Sequence, residues 1–488
     1  MTPRMLAIDQ GTSSTKAVLV DANGTIIARA TAALSSDYPR PGWAEQSADA
    51  IWASVQAAIA AIVDQAGSKD IAGIAIANQR ETLVVWDAAT HRPLCPAILW
   101  QCRRTADTSA ALISAGYDAA VTAATGLGIN PLFPAGKLAW VMGHVPGAAD
   151  LLAQGRLRAG TVDTWLLWNL TGGASFATDH SNASRTQLFN TDRLVWDDSL
   201  AALFGAPLAA LPSVLPSDSR FGETAAGTVL PTGIPIHAIM GDSHAALYGH
   251  GVRSPGLVKA TYGTGSSLMV LTPARTLSQN GLSGTIAWSR GDQVSFAVEG
   301  TITVSAQAAA FAAMLLGLPD AAALSDLAET VTDSGGVTFV PAMAGLGAPH
   351  WNDAARGTIG GMTLATKPAH IARATFEAIA LQIADVFAAM ERDIGQPLAG
   401  LLADGGASAN RFLMQLQADL LNRPVTRSEV AEVGAMGAAA MAFHGLGIEA
   451  RGLEGGGRSL FEPVMATAAR QDIHLGWQRA LALVLAGK

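Results

Sequence analysis

The sequence predicts an α/β protein that is built from two related halves. Apolar, strand-like runs alternate with helical patterns along the 488 residues, as they do in α/β layer architectures. A strand, a turn of small polar residues and a second strand open the chain at 5–21, and the same order of features returns at 258–271. Because single cores stop growing near about 250–300 residues, at least two domains are expected. We place them at 1–244 and 245–488.

The composition argues against several classes of protein. Half of the residues are hydrophobic and 14% are charged, which is enough for large cores and untypical of disorder. A net charge of −8 disfavours a nucleic-acid partner. The sequence predicts no membrane partner, since no apolar run reaches the roughly 18 residues of a membrane span. The start lacks signal-peptide features, and two cysteines are too few for a disulfide framework, so a cytoplasmic location is expected. Assembly into a homo-oligomer stays open.

The turn of the first hairpin has residues suited to phosphate. Gly11 allows close approach of the backbone, Lys16 adds a cation, and Asp9 ends the first strand, where a carboxylate can hold a divalent metal. The hydroxyl groups of the turn belong to Thr12, Ser13 and Ser14. The spacing matches neither a Walker A loop nor a dinucleotide fingerprint. A plain hairpin turn is the alternative interpretation.

Polar residues also follow two predicted strands further along the chain. Arg80 and Glu81 come after the apolar run 71–77, and Trp100 ends another short run. Ligands of α/β folds bind at the carboxyl ends of strands, and an adjacent Arg and Glu can donate to and accept from the hydroxyls of a polyol. A surface ion pair is the alternative.

Asp242 lies where an apolar strand, 234–240, meets an Ala-rich helix. Asp favours this position as a helix cap, because its carboxylate accepts hydrogen bonds from free backbone amides. A carboxylate at the carboxyl end of a strand is also well placed to act as a catalytic base. The position alone does not decide between a cap and a base.

Two glycine turns of the second half are candidates for nucleotide contact. Gly263 and Thr264 lie in the repeated hairpin, and Gly405 and Gly406 join a strand to the start of a helix that includes Asn410. Glycines let a ligand approach the backbone, and a helix N-terminus favours phosphate or polar atoms. If the repeat is a duplication rather than a chance match, two facing domains would hold a nucleotide from both sides.

Together these motifs resemble the FGGY family of carbohydrate kinases, within the actin-like ATPase superfamily. The likeness runs from residue 5 to about 445. Its most specific parts are Gly357–Met362 with His370–Glu377, Asp9–Thr12 and Asp404–Gly406. The resemblance implies two duplicated ribonuclease H-like domains that face each other across a catalytic cleft.

Within the family the sequence is most similar to glycerol kinases, through Asn78–Glu81, Trp100–Thr105 and Ala183–Thr186. The resemblance implies that Asp242 is the general base and that Asp9 helps to hold Mg²⁺. It implies a substrate pocket formed by Arg80, Glu81, Trp100, Leu132, Asp242 and Ser243. The residues expected to bind ATP are Gly11, Thr12, Ser13, Ser14, Lys16, Gly263, Thr264, Gly405, Gly406 and Asn410.

The sequence departs from glycerol kinases at several of these places. Leu132 and Ser243 stand where glycerol kinases carry Tyr and Gln, which predicts a larger substrate pocket. Ala306 and Ala310 stand where they carry Gly and Gln, so the adenine contacts are expected to differ. Residues 224–228 lack the glycine- and lysine-rich run that resembles an effector site in bacterial glycerol kinases.

The sequence therefore predicts an ATP-dependent kinase that phosphorylates a terminal hydroxyl of a small polyol or ketose. A kinase for xylulose, another pentulose or a tetritol is the alternative within the family. A non-catalytic sugar or nucleotide sensor is a rival from another class, and so is an actin-like assembly protein. The presence of Asp9 and Asp242 disfavours the sensor, and the residues Arg80, Glu81 and Trp100 disfavour the assembly protein.

Overall fold

A computed structural model describes residues 2–450 and 457–487, so the outer ends of the two predicted domains, residues 1 and 488, lie outside the described residues. We call residues 2–241 the first half and residues 250–487 the second half. The strands of the first half are β1 (Arg4–Gln10), β2 (Ser14–Asp21), β3 (Ile26–Ala33), β4 (Glu45–Gln46), β5 (Ile71–Asn78), β6 (Leu83–Asp87), β7 (Ala97–Ile98), β8 (Leu157–Thr161), β9 (Ala177–Asp179), β10 (Phe189–Asn190), β11 (Val195–Trp196), β12 (Ser213–Leu215), β13 (Gly222–Glu223) and β14 (Pro235–Gly241). Those of the second half are β15 (Leu257–Tyr262), β16 (Ser266–Thr272), β17 (Ser283–Arg290), β18 (Gln293–Ile302), β19 (Thr338–Val340), β20 (Thr358–Gly360), β21 (Gly400–Asp404), β22 (Val425–Ser428) and β23 (Arg458–Phe461).

Helices cover both sheets and connect the strands. They are α1 (Ala48–Ala66), α2 (Ala106–Ser114), α3 (Asp118–Thr125), α4 (Pro134–His144), α5 (Ala148–Ala153), α6 (Val162–Leu170), α7 (His180–Ala183), α8 (Asp198–Phe204), α9 (Asp242–Gly249), α10 (Gln307–Leu315), α11 (Ala321–Glu329), α12 (Pro368–Ile394), α13 (Arg411–Leu421), α14 (Val433–Gly445) and α15 (Thr467–Ala486). Two short 3₁₀ helices lie at Leu208–Ala210 and Gly406–Ala409.

The two main sheets share a five-strand core, which is β3-β2-β1-β5-β14 in one and β18-β16-β15-β21-β22 in the other. In the first half the strand order is β13-β14-β5-β1-β2-β3, and in the second it is β17-β18-β16-β15-β21-β22-β23. Both begin with an antiparallel hairpin, β1–β2 and β15–β16, whose first strand pairs in parallel with a later strand, β5 or β21. A second parallel strand, β14 or β22, follows on the outer side. The halves are therefore duplicated ribonuclease H-like domains, and the predicted fold class is confirmed.

Two helices pack between the sheets. Helix α9 leaves the end of β14, and α14 from the far end of the chain packs on α9 and on the first-half strands β1, β5 and β14. Small residues permit this close packing, since a Cβ added to Gly437 would collide with the carbonyl oxygen of Ala245 in α9. The packing fixes the position of residue 242, the first residue of α9.

Local features of the sequence specify the start and the buried face of helix α1. Ser47 caps α1, because its hydroxyl accepts a hydrogen bond from the Ala50 amide at 3.1 Å. Buried residues on one face of α1, among them Ile51, Val55 and Ile59, pack on the first sheet. Among the described residues, no helix has the length and apolar character needed to cross a bilayer.

Candidate active site

The first hairpin places a carboxylate and an ammonium group side by side. Asp9 and Lys16 are directly opposite each other on β1 and β2, and the turn is closed by a hydrogen bond from the Gly11 amide to the Ser14 carbonyl at 3.0 Å. Burial, together with the charge of Asp242, raises the pKa of Asp9 to about 7, although Lys16 acts in the opposite direction. Asp9 thus lies in a buried acidic site that a cation would stabilise.

A cavity of about 220 Å³ lies between the two halves at this turn. Residues from both halves contribute to its wall, which combines carboxylates, one lysine, hydroxyl groups and glycines. The lining residues are Asp9, Gly11, Ser13, Ser14, Lys16, Asp242, Ser243, Ala246, Thr261, Asp404, Gly405, Ala431, Val433 and Gly434. Eight of the site residues predicted from the sequence line this cavity: Asp9, Gly11, Ser13, Ser14, Lys16, Asp242, Ser243 and Gly405.

Asp242 is the first residue of α9, and Gly241 occupies the cap position before it. Its side chain is 40% exposed. Its Oδ1 accepts hydrogen bonds from the Ser243 amide at 2.6 Å and from Arg80 Nε at 3.1 Å. The carboxylate therefore lies between the cavity and Arg80, with part of its surface open to a ligand.

Arg80 and Glu81 belong to a buried ion network rather than to a surface pair. Arg80 Nη1 lies 2.7 Å from Glu299 Oε1. Arg185 donates to Glu81 through Nε at 2.7 Å, and its Nη2 lies 2.9 Å from Glu299 Oε2. Burial opposes charge on Glu299, but Arg185 and Arg80 hold the pKa of its carboxyl well below the usual range. Sequence reasoning missed Glu299, which stands inside β18 with no local signal.

Glu81 has a backbone conformation that is rare outside glycine, with φ of 60°. Lys137 on α4 holds this segment, because its fully buried Nζ donates to the carbonyl oxygens of Glu81 at 2.8 Å and Leu132 at 2.6 Å. Burial lowers the pKa of Lys137 to about 7. Lys137 thus ties together two segments predicted to line the substrate pocket, a role that its sequence position did not indicate.

Trp100 and Thr12 contact each other beside this network. The indole Nε1 of Trp100 donates to Thr12 Oγ1 at 3.0 Å, and Thr12 Oγ1 lies 3.3 Å from Gln79 Oε1. The Thr12 side chain is therefore engaged with Trp100 and Gln79, and Thr12 is not among the residues that line the cavity. Trp100 is joined to the phosphate turn, while Leu132 is connected through its backbone to Lys137.

The remaining predicted nucleotide residues all belong to the second half. The turn at Gly263 and Thr264 receives backbone hydrogen bonds from residues 305–307 at the start of α10, next to Ala310. Gly405 packs against the backbone of residue 262, so the two glycine turns are in contact. Asn410 caps α13 by accepting from the Leu413 amide at 2.9 Å. Gly263, Thr264, Gly406 and Asn410 lie outside the cavity lining.

Family models match almost the whole of this two-half arrangement. Residues 4–249 match the N-terminal domain of the FGGY family of carbohydrate kinases, and residues 258–446 match its C-terminal domain. The chain belongs to the FGGY family of carbohydrate kinases. It is therefore an ATP-dependent phosphotransferase that acts on a sugar or polyol, and the predicted activity is confirmed.

Individual relatives agree with the family. The chain is 47% identical to an apulose kinase of Pectobacterium atrosepticum, over 90% of this chain and 88% of that protein. It is 44% identical to a glycerol kinase of Symbiobacterium thermophilum, over 98% of this chain and 97% of that protein. A crystal structure of Plasmodium falciparum glycerol kinase with ADP superposes with a TM-score of 0.91 at 30% identity, covering 100% of this chain and 99% of that one.

The cavity of this FGGY kinase has the oxygen donors that Mg²⁺ prefers. Among residues 2–450 and 457–487, no three His, Cys, Asp or Glu side chains converge as a metal site. Mg²⁺ in kinases needs only one or two carboxylates, because phosphate oxygens and water complete its shell. Asp9, with its raised pKa and its neighbour Asp242, fits that requirement.

Proposed function

We propose that this FGGY kinase transfers the γ-phosphoryl group of Mg-ATP to a terminal hydroxyl of a small polyol or ketose. The observation that supports this most strongly is the position of Asp242, whose carboxylate lines the cavity beside Asp9 and Lys16 and also bonds Arg80 at 3.1 Å. One carboxylate thus borders both the proposed phosphate site and the proposed polyol site. Such a position suits a base that acts between two substrates.

In the proposed mechanism the residues mainly hold and orient the reactants, since phosphoryl transfer depends on positioning and charge neutralisation. Arg80 donates to a polyol oxygen, and Glu81 accepts from a neighbouring hydroxyl. Asp242 accepts the proton of the attacking hydroxyl as the hydroxyl oxygen bonds to the γ-phosphorus, and the bond from that phosphorus to the bridging oxygen breaks to release ADP. Lys16 and the turn at 11–14 take up negative charge on the phosphates.

Asp9 is the residue proposed to hold Mg²⁺, directly or through water. The ion, when bound, neutralises charge on the phosphate oxygens. For the base contacts of ATP we propose Gly263, Thr264, Gly405, Gly406 and Asn410, with the small residues Ala306 and Ala310 of the α10 segment close by. These residues belong to the second half, so ATP would bridge both halves.

Two substrate classes are proposed. Glycerol is favoured by similarity to glycerol kinases over nearly the whole chain. A four- or five-carbon polyol or a ketopentose is favoured by Leu132 and Ser243, which are smaller than the Tyr and Gln of glycerol kinases, and by the 47% identity to an apulose kinase.

A panel of polyols and ketoses, assayed by ADP release at fixed ATP, tests the function and separates the two classes. Glycerol, erythritol, xylulose, ribulose and a branched pentulose form the panel, with ATP alone as the blank. Higher kcat/KM for a substrate longer than glycerol supports the larger pocket. Glycerol ahead of every longer substrate would contradict that inference, and no turnover with any of them would favour a sensor.

Further proposals concern the setting of the enzyme. We propose domains of 1–244 and 245–488, a cytoplasmic location and small-molecule substrates without nucleic-acid or membrane partners. The thiols of Cys95 and Cys102 form no disulfide, which supports the cytoplasmic location. The net charge of −8 supports the proposal that nucleic acid is not a partner. Light scattering would measure whether the enzyme forms a homo-oligomer.

A further inference from the structure

Glu299, a buried carboxylate of the second half, pairs with two arginines on the proposed polyol side of the cleft. Glu299 lies on β18, and its side chain has no exposed surface. Two arginines of the first half converge on it, Arg80 through Nη1 at 2.7 Å and Arg185 through Nη2 at 2.9 Å. The ion pairs therefore cross from one half of the molecule to the other.

These contacts orient all three charged groups that we propose for the polyol. Arg80 holds Asp242 through Nε, and Arg185 holds Glu81 through Nε. With Nε and Nη1 engaged, Nη2 is the Arg80 nitrogen for which no bond within the described residues is found. The position of Glu299 thus determines which nitrogen of Arg80 faces a ligand.

A further contact connects Glu299 to the cavity. Ser267 Oγ donates to Glu299 Oε1 at 2.7 Å and lies 3.0 Å from Ser243 Oγ, which in turn accepts from the buried Lys259 Nζ at 2.9 Å. Ser243 lines the cavity next to Asp242. Glu299 is therefore linked to Arg80 directly and to Ser243 through Ser267, and Arg80 Nε and the Ser243 amide are the two donors to Asp242 Oδ1.

A contribution to folding stability is a weak explanation for a buried carboxylate such as Glu299. Taking charges out of water is costly, and buried ion pairs are often no better for stability than apolar residues of the same volume. Removing one member is different, because it leaves the charge of the remaining partner buried and uncompensated. A buried carboxylate that fixes two arginines is better explained by the orientation that it imposes.

We infer that Glu299 is a positioning residue for the polyol, which sets Arg80 directly and Glu81 through Arg185 and so completes the pocket only when both halves are in place. This inference rests on the proposed function. It adds a residue of the second half to a polyol site that is otherwise formed by the first half and the start of α9.

The test is Glu299→Gln, which keeps the size of the side chain but removes its charge and replaces one of its two acceptor oxygens with an NH₂ donor. Loss of a hydrogen bond to a charged group predicts a rise in KM for the preferred polyol of about 10- to 100-fold, with KM for ATP changing by less than about threefold. Glu377→Gln is the matched control. Glu377 is also a buried glutamate paired with an arginine, Arg373 at 3.2 Å, but it lies on α12, and its partners Arg373 and Ser334 are not among the residues proposed for the polyol.

Arg185→Lys is the second variant and covers the case in which Glu299→Gln does not fold. It keeps the charge but loses the fork that reaches Glu81 and Glu299 together, so the same selective rise in KM is expected. The inference would be overturned if the wild type is active and the variants keep its KM for the polyol. It would also be overturned if KM rises equally for the polyol and for ATP. A wild type that phosphorylates no polyol would overturn the proposed function as well.

Discussion

Replacing Asp242 by Asn separates proton transfer from the other contacts of this side chain. Asn has the same shape, and its Oδ1 can still accept from Arg80 Nε and from the Ser243 amide. It cannot take a proton from the attacking hydroxyl. General-base catalysis contributes about 10²–10⁴-fold, so we expect kcat to fall by that factor, which corresponds to about 3–5 kcal/mol of barrier. KM for ATP should change by less than about threefold, because the phosphate turn is untouched.

Steady-state ADP release, with polyol and ATP varied separately, measures this effect. Asp320→Asn is the matched control, because Asp320 also begins a helix and caps α11 through the Ala323 amide at 2.9 Å, a role that Asn fills equally well. The control should keep wild-type kcat. An Asp242→Asn enzyme that retained more than about a tenth of wild-type kcat would refute the assignment of the base.

Two further predictions concern stability. Burial raises the pKa of Asp163 from 3.8 to about 7, so its stabilising contribution is complete below 3.8 and is lost as the pH rises to about 7. The free energy of unfolding of Asp163→Asn, relative to that of the wild type, should therefore rise by about 1.4 kcal/mol per pH unit between pH 3.8 and about 7 and stay constant at higher pH, as measured by urea unfolding. A difference that does not depend on pH would contradict the pKa shift. Gly437→Ala should lower Tm and kcat together, because its Cβ would collide with Ala245 and displace α9, an overpacking cost of about 1–3 kcal/mol or more. Gly143→Ala in α4, where an added Cβ would meet no atom of the described residues within 4 Å beyond its chain neighbours and its own helix backbone, should instead stabilise by about 0.5–1 kcal/mol, and equal effects of the two changes would refute the packing argument.

Much of the fold could be predicted because its signals are local. The paired hairpins at β1–β2 and β15–β16, the apolar strands β5 and β14, and the Ser47 cap each depend on residues close together in sequence. The strand order of the sheets depends on distant pairing, and only the repeated hairpin hinted at it. The resemblance to a known family supplied the rest.

The candidate site was predictable only in part. Motifs at the ends of strands identified Asp9, Arg80 and Asp242, which the fold brings to one cleft. Glu299 and Lys137 were not found, because a charged residue inside a strand or helix has no local mark that shows what it will contact. Their partners are 219 and 56 residues away along the chain.

A crystal structure of the enzyme with a non-hydrolysable ATP analogue and its preferred polyol would show whether Asp242 is the base. We expect the triphosphate in the cavity lined by Asp9 and Lys16. We also expect the Asp242 carboxylate at about 2.6–3.2 Å from the hydroxyl that faces the γ-phosphate. A carboxylate turned away from that hydroxyl with both ligands bound, or a triphosphate bound elsewhere, would contradict it.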